Sequence, residues 1–148
     1  MKRTTIWDLF ISGIKDDEDF ENIEGAMIAF REVVRADTSH IDARIRLGML
    51  NLKSGFYESA LRELEEVLNI APESAQAHAG LGEAFYTIAL GKEVKIEHPT
   101  GLGATRDIKG SKDYFKRVLE EFNKAISLDK KMSERLSKTV SRAERNIK

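Results

Sequence analysis

The chain has no cysteine. That excludes disulfides, zinc–thiolate sites and a cysteine nucleophile, and it fits a cytoplasmic setting. Prolines number two, Pro72 and Pro99, so long helices meet few breakers. Neither sign of charge prevails: 24 Lys and Arg against 25 Asp and Glu leave a formal net charge of −1. Nucleic acid is therefore not expected as the main partner, because phosphate binding calls for a strong basic excess. No segment reaches the roughly 18 apolar residues of a membrane span. The basic start Met1-Lys2-Arg3 is followed by a stretch broken by Asp8, without the apolar run of a signal peptide.

What is present is a charge-rich helical composition, 41% hydrophobic and 33% charged over 148 residues. It is enough for one domain with one continuous core, far from the disordered class. The sequence also repeats itself. Leu47-Gly48 returns 34 residues later as Leu81-Gly82, and Ala43 as Ala77. The same offset carries Ala26 to Ala60, Phe30 to Leu64, Glu32 to Glu66 and Val33 to Val67. A helical pattern with a period of about 34 residues marks helix–turn–helix units stacked into a solenoid. Each unit leaves an apolar stripe that only a neighbouring unit can cover.

The clearest unit spans 41–74. Its first helix carries Ile41, Ile45, Leu47, Met49, Leu50 and Leu52, and should stop near Ser54-Gly55, where glycine takes the left-handed cap conformation. The second starts at Phe56-Tyr57, shows apolar residues at three-and-four spacing, and is halted by Pro72. An earlier unit, about 5–38, pairs a short helix over Ile6 to Ile14 with a second bearing Ala26, Met27, Phe30 and Val33. The acidic run Asp16 to Asp19 between them is expected to be a solvated turn or helix start. The third unit, about 75–130, opens normally, but Phe122, Ala125 and Ile126 match Leu64, Val67 and Leu68 only at an offset of 58. Roughly 24 residues are therefore inserted, over about 90–112, with Gly91, Gly101, Gly103, Gly110 and Pro99. Long loops of this kind are usually functional or disordered, and deletion of this one should preserve folding. Within it, the alternation in Glu93-Val94-Lys95-Ile96 allows a short strand or a helix extension. A last helix, about 133–148, places Leu136, Val140, Ala143 and Ile147 on one face and basic residues on the other, with Ser133 as its N-cap. It is the polar-backed end that a solenoid requires.

These residues resemble the tetratricopeptide repeat (TPR) family. The middle unit supplies Leu47-Gly48, Gly55, Tyr57, Ala60, Leu64, Val67 and Pro72, and the third supplies Leu81-Gly82, Phe85, Phe122 and Ala125. It departs from the pattern where Arg44 and His78 replace the first aromatic, where Asn51 replaces the tyrosine, and where the first unit lacks a clean Leu-Gly. The resemblance implies an all-α, right-handed superhelical solenoid of about three repeats with a C-terminal capping helix. It also implies a concave groove lined by the first helix of each repeat. The groove positions would be Ile45, Met49 and Leu52 from the middle repeat and Ala79, Glu83 and Tyr86 from the third, with Ile11 and Lys15 from the first. The family's Lys and Asn clamp for a terminal carboxylate is absent: Ile45, Met49, Gln76 and Gly80 occupy such positions.

No enzyme signature accompanies the repeat. Gly101-Leu102-Gly103-Ala104-Thr105 lacks the Gly-Lys-Ser/Thr ending of a phosphate loop. His40, His78 and His98 show no metal-ligand spacing, and no nucleophile stands beside a base and its orienting partner. No cofactor or metal is expected. The expected function is a protein–protein interaction module, an adaptor or assembly scaffold, holding an amphipathic helix or an extended apolar segment in a mostly apolar groove. The alternatives are a structural protein that self-associates through its acidic N-terminal and basic C-terminal ends, a cytoplasmic chaperone for secreted subunits, and an enzyme accessory subunit with a ligand at the insert.

Overall fold

The computed structural model describes residues 5–18, 22–91 and 111–148. All regular structure among them is helical: α1 (Ile6–Glu18), α2 (Ile23–Ala36), α3 (Ile41–Lys53), α4 (Tyr57–Ile70), α5 (Ala75–Ala89), α6 (Ser111–Leu128) and α7 (Met132–Ile147). The strand or helix extension expected at 93–96 lies outside the described residues.

Local chemistry sets the helix starts. Thr5 and Asp8 cap α1 reciprocally: the Asp8 amide donates to the Thr5 hydroxyl at 3.1 Å, and the Thr5 amide donates to the Asp8 carboxylate at 3.0 Å. These hydrogen bonds, the backbone one first, hold the Asp8 carboxyl below the usual carboxylate range. Asn22, His40 and Ser74 each accept the amide of the residue three positions on, and so cap α2, α3 and α5. Gly55, at φ +83°, turns the chain out of α3, and α4 stops two residues before Pro72. Two boundaries differ from the sequence reading. Helix α1 runs a turn past Ile14, through Asp16 to Glu18, because residues 14–18 include neither proline nor glycine. Helix α7 begins at Met132, and Ser133 is not its cap. Lys131 is already in the helical region, and the Ser133 amide donates to the Lys130 carbonyl at 3.1 Å.

The helices pack in chain order, α1 on α2, α3 on α4, α5 on α6 and α7 on α6. The pairs adjoin through α2–α3 and α4–α5, and α3 also meets α5. Apolar burial drives this. Phe30, Val33, Leu47 and Leu50 centre an N-terminal core, and Leu64, Leu81, Val118 and Phe122 a C-terminal one. Each such side chain contributes roughly 1.5–3 kcal/mol.

One close approach recurs along the stack. A Cβ at Gly48 would stand 2.9 Å from Leu64 Cγ, and one at Gly82 would stand 2.5 Å from Phe122 Cε1. The third instance is Gly13, where a Cβ would stand 2.8 Å from Phe30 Cε1. The first unit therefore does have its glycine, one residue out of step. Helix α1 starts 35 residues before α3, while α2 starts 34 before α4, so the link after α1 is one residue longer.

A polar bracket also recurs. Arg44 donates through Nε to the Thr38 carbonyl at 2.7 Å and through Nη1 to Glu63 on α4 at 2.8 Å. In the next pair His78 sits between the Pro72 carbonyl, 3.0 Å from Nε2, and Glu121 on α6, 2.6 Å from Nδ1. Where the repeat pattern leads one to expect an aromatic plug, these two positions instead tie an inter-pair turn to the second helix.

Candidate functional site

A cavity of about 370 Å³ opens on one side of the molecule. Alternate helices line it: Phe10 and Ile14 from α1; Asp42, Ile45, Arg46 and Met49 from α3; Gln76, Gly80 and Glu83 from α5; and Arg135 from α7. The α3 and α5 residues follow three-and-four spacing, so each helix gives one face to the hollow. Gly80 belongs there for a physical reason: a Cβ would lie 3.0 Å from Leu64 Cδ1 and 3.2 Å from Met49 Sδ, which keeps α5 close to α3.

Of the six residues expected in the groove, Ile45, Met49 and Glu83 stand in the cavity wall. Leu52 is half-buried outside it. Ala79 is 1% exposed and belongs to the C-terminal core. Tyr86 is half-buried, its ring edge-on to Phe115 with centroids 6.0 Å apart. From α1 the wall takes Phe10 and Ile14. The expected Ile11 is one residue past Phe10, the same shift that displaces Gly13, and the side chain of Lys15 lies outside what is described. Asp42, Arg46 and Gln76 were legible as the preceding turn of faces already identified. Arg135 was not, because its place depends on where α7 docks.

Half of the wall is polar. Two carboxylates, Asp42 and Glu83, face the same hollow as two guanidiniums, Arg46 and Arg135. Arg135 Nη2 lies 3.6 Å from Glu83 Oε1, and Arg46 Cζ lies 6.0 Å from the centre of the Phe30 ring. Burial pushes the Glu83 carboxyl above its ordinary range, and Arg135 pulls part of the way back. A carboxylate kept on an inner wall at a desolvation cost is a recognised mark of functional surfaces. Among the described residues no group of three or more His, Cys, Asp and Glu is arranged to hold a metal ion, and no helix is long and apolar enough to cross a membrane.

No family model matches the sequence, and no curated protein matches it either. Among solved structures, the chain is similar to the crystal structure of a thermophilic TPR protein in Thermus thermophilus. The TM-score is 0.68 at 16% identity, over 84% of this chain and 57% of that one. The chain spans little more than half the length of that neighbour. With helices packed in sequence and a hollow lined by alternate ones, it has a TPR-like fold.

Proposed function

We propose that the chain is a protein-binding module, an adaptor or assembly scaffold, that holds a segment of a partner in the cavity between α1, α3, α5 and α7. In this reading the pairs α1/α2, α3/α4 and α5/α6 are three repeats of a right-handed superhelix, and α7 caps its end. The supporting observation is the cavity itself. Phe10, Ile14, Ile45 and Met49 give its wall an apolar part, and Asp42, Arg46, Glu83 and Arg135 a charged one. A wall of that mixture favours an amphipathic helix over a wholly apolar strand, since each buried charge needs a polar counterpart. Methionine adds a side chain that adapts to its guest.

The test is Ile45→Glu and Met49→Glu. Both side chains are half-buried at the wall, so each variant should lose partner capture, read by co-purification and mass spectrometry, while its melting temperature stays close to that of the parent. Capture of an unchanged set of partners by well-folded variants would sink the reading. Unfolding of both would show that these side chains serve the core.

A further inference from the structure

The cations of α7 and of Lys131, the residue just before it, are sorted by face. Lys131, Arg135, Lys138, Arg142 and Arg145 follow one another at steps of four, three, four and three residues, and all five are exposed. At 100° per residue they fall within an arc of about 80° and run about 21 Å along the helix. The buried stripe of Leu136 and Ala143 lies well round from them. The remaining exposed face carries Glu134, Ser137, Ser141 and Glu144, and its one cation is Lys148, just past the last residue of α7. A helix end that needs only solubility has no use for this segregation; interspersed charges of both signs serve that purpose. Among the described residues Lys131, Lys138, Arg142 and Arg145 enter no ion pair. The fifth, Arg135, both reaches Glu83 and lines the cavity, so the stripe is continuous with the cavity wall.

We infer that α7 is an electrostatic rail for an acidic amphipathic helix of a partner protein, whose apolar face rests on the Ile45 and Met49 wall and whose carboxylates align with the basic stripe. This deepens the groove reading and rests on it. The helical form of the guest follows from spacing. The cations recur about every 5 Å, which a helix with Glu at three-and-four steps reproduces, whereas alternate residues of a strand recur at about 6.7 Å and lose register within a few contacts. Facing rows of opposite charge steer encounter and fix register more than they add affinity.

The probe is a fluorescent peptide of about 20 residues with Leu on one helix face and Glu along its edge at three-and-four steps. Beside it stand a Gln-for-Glu version, a scrambled acidic version, single-stranded DNA of about 20 nucleotides and phosphatidylserine vesicles. The acidic amphipathic peptide should bind about tenfold or more tightly than the Gln version. That preference should vanish in the triple variant Lys138→Glu, Arg142→Glu, Arg145→Glu and fade as salt rises from about 50 to 300 mM. The three positions are exposed, so the variant should keep its helical circular dichroism; Arg142→Gln alone, with a smaller loss, serves if it does not. Equal binding of the acidic and Gln peptides overturns the rail and leaves the groove reading standing. Binding of neither peptide counts against both. Equal binding of the scrambled peptide, or stripe-dependent binding of DNA or vesicles in preference to the peptide, overturns the inference as well.

Discussion

Phe122 leaves no room for a methyl group at position 82. The ring is wholly buried and 2.5 Å from where a Cβ would be, so it has nowhere to retreat. Alanine at an interior helical glycine normally gains about 1 kcal/mol, whereas overpacking costs about 1–3 kcal/mol. Gly82→Ala should therefore be destabilising by urea denaturation. Gly80→Ala meets only the ends of the Leu64 and Met49 side chains, at 3.0 and 3.2 Å, and should cost much less. Glu83 gives a second prediction. Its carboxyl is raised in the folded chain, first by burial, so between the unfolded and folded values the native state holds more protons. Stability then falls as pH rises through that window and stays lowered above it. Glu83→Gln removes the cost. The variant should melt higher than the parent at pH 7, by less than about 1 kcal/mol, because Glu83 keeps a third of its side chain in solvent and the variant also loses the contact with Arg135. At a pH low enough to protonate Glu83 the two should converge; a gain persisting there would contradict the burial account.

At the scale of the element, the bracket around His78 couples three pieces, the turn at Pro72, helix α5 and helix α6. Both ring nitrogens face oxygen acceptors. His78 and Glu121 are mostly buried, at 12% and 13% side-chain exposure, so removing Glu121 leaves Nδ1 of His78 without its partner, whereas Glu121 also has Arg117 at 3.6 Å. Glu121→Ala should cost about 1–3 kcal/mol. His78→Arg copies the preceding pair, where Arg44 makes both equivalent contacts, and should cost far less than His78→Ala. A double-mutant cycle on His78 and Glu121 should return a coupling of about 0.5 kcal/mol or more; additive single effects would show the two to be independent. These positions were visible in the sequence as departures from the repeat pattern, but a departure does not reveal its replacement. Only the packing of α6 on α5 shows that Glu121 answers His78.

For the whole molecule, the repeat period was the strongest signal: α4 starts 34 residues after α2, and α5 starts 34 after α3. Its one slip is instructive. An offset of 34 locates Gly48 and Gly82, yet misses Gly13 because the link after α1 is a residue longer. The same slip put Ile11 on the wall where Phe10 stands. The offset of 58 likewise matched α6 to α4 across the insert, and the C-terminal core forms from described residues of α4 to α7. Joining Gly91 to Ser111 through a short Gly-Ser linker, in place of 92–110, should thus leave far-ultraviolet circular dichroism per helical residue and cooperative melting intact. Loss of either would make the insert part of the fold.

By itself the sequence determined what depends on local pattern: that the described chain is helical, where most helices begin and end, which stripes are buried, and that small residues mark the crossings. Those features follow from caps, helix breakers and the 3.6-residue turn, all of which act over a few neighbours. The tertiary structure decided what depends on distant residues meeting. It drew Ala79 into the core and set Tyr86 against Phe115. It brought Arg135 from the last helix to Glu83 and made half of the inner wall polar. The physical reason is that a helix face is defined by its own sequence, while the neighbour that covers it, or leaves it open, is chosen by how the whole stack closes.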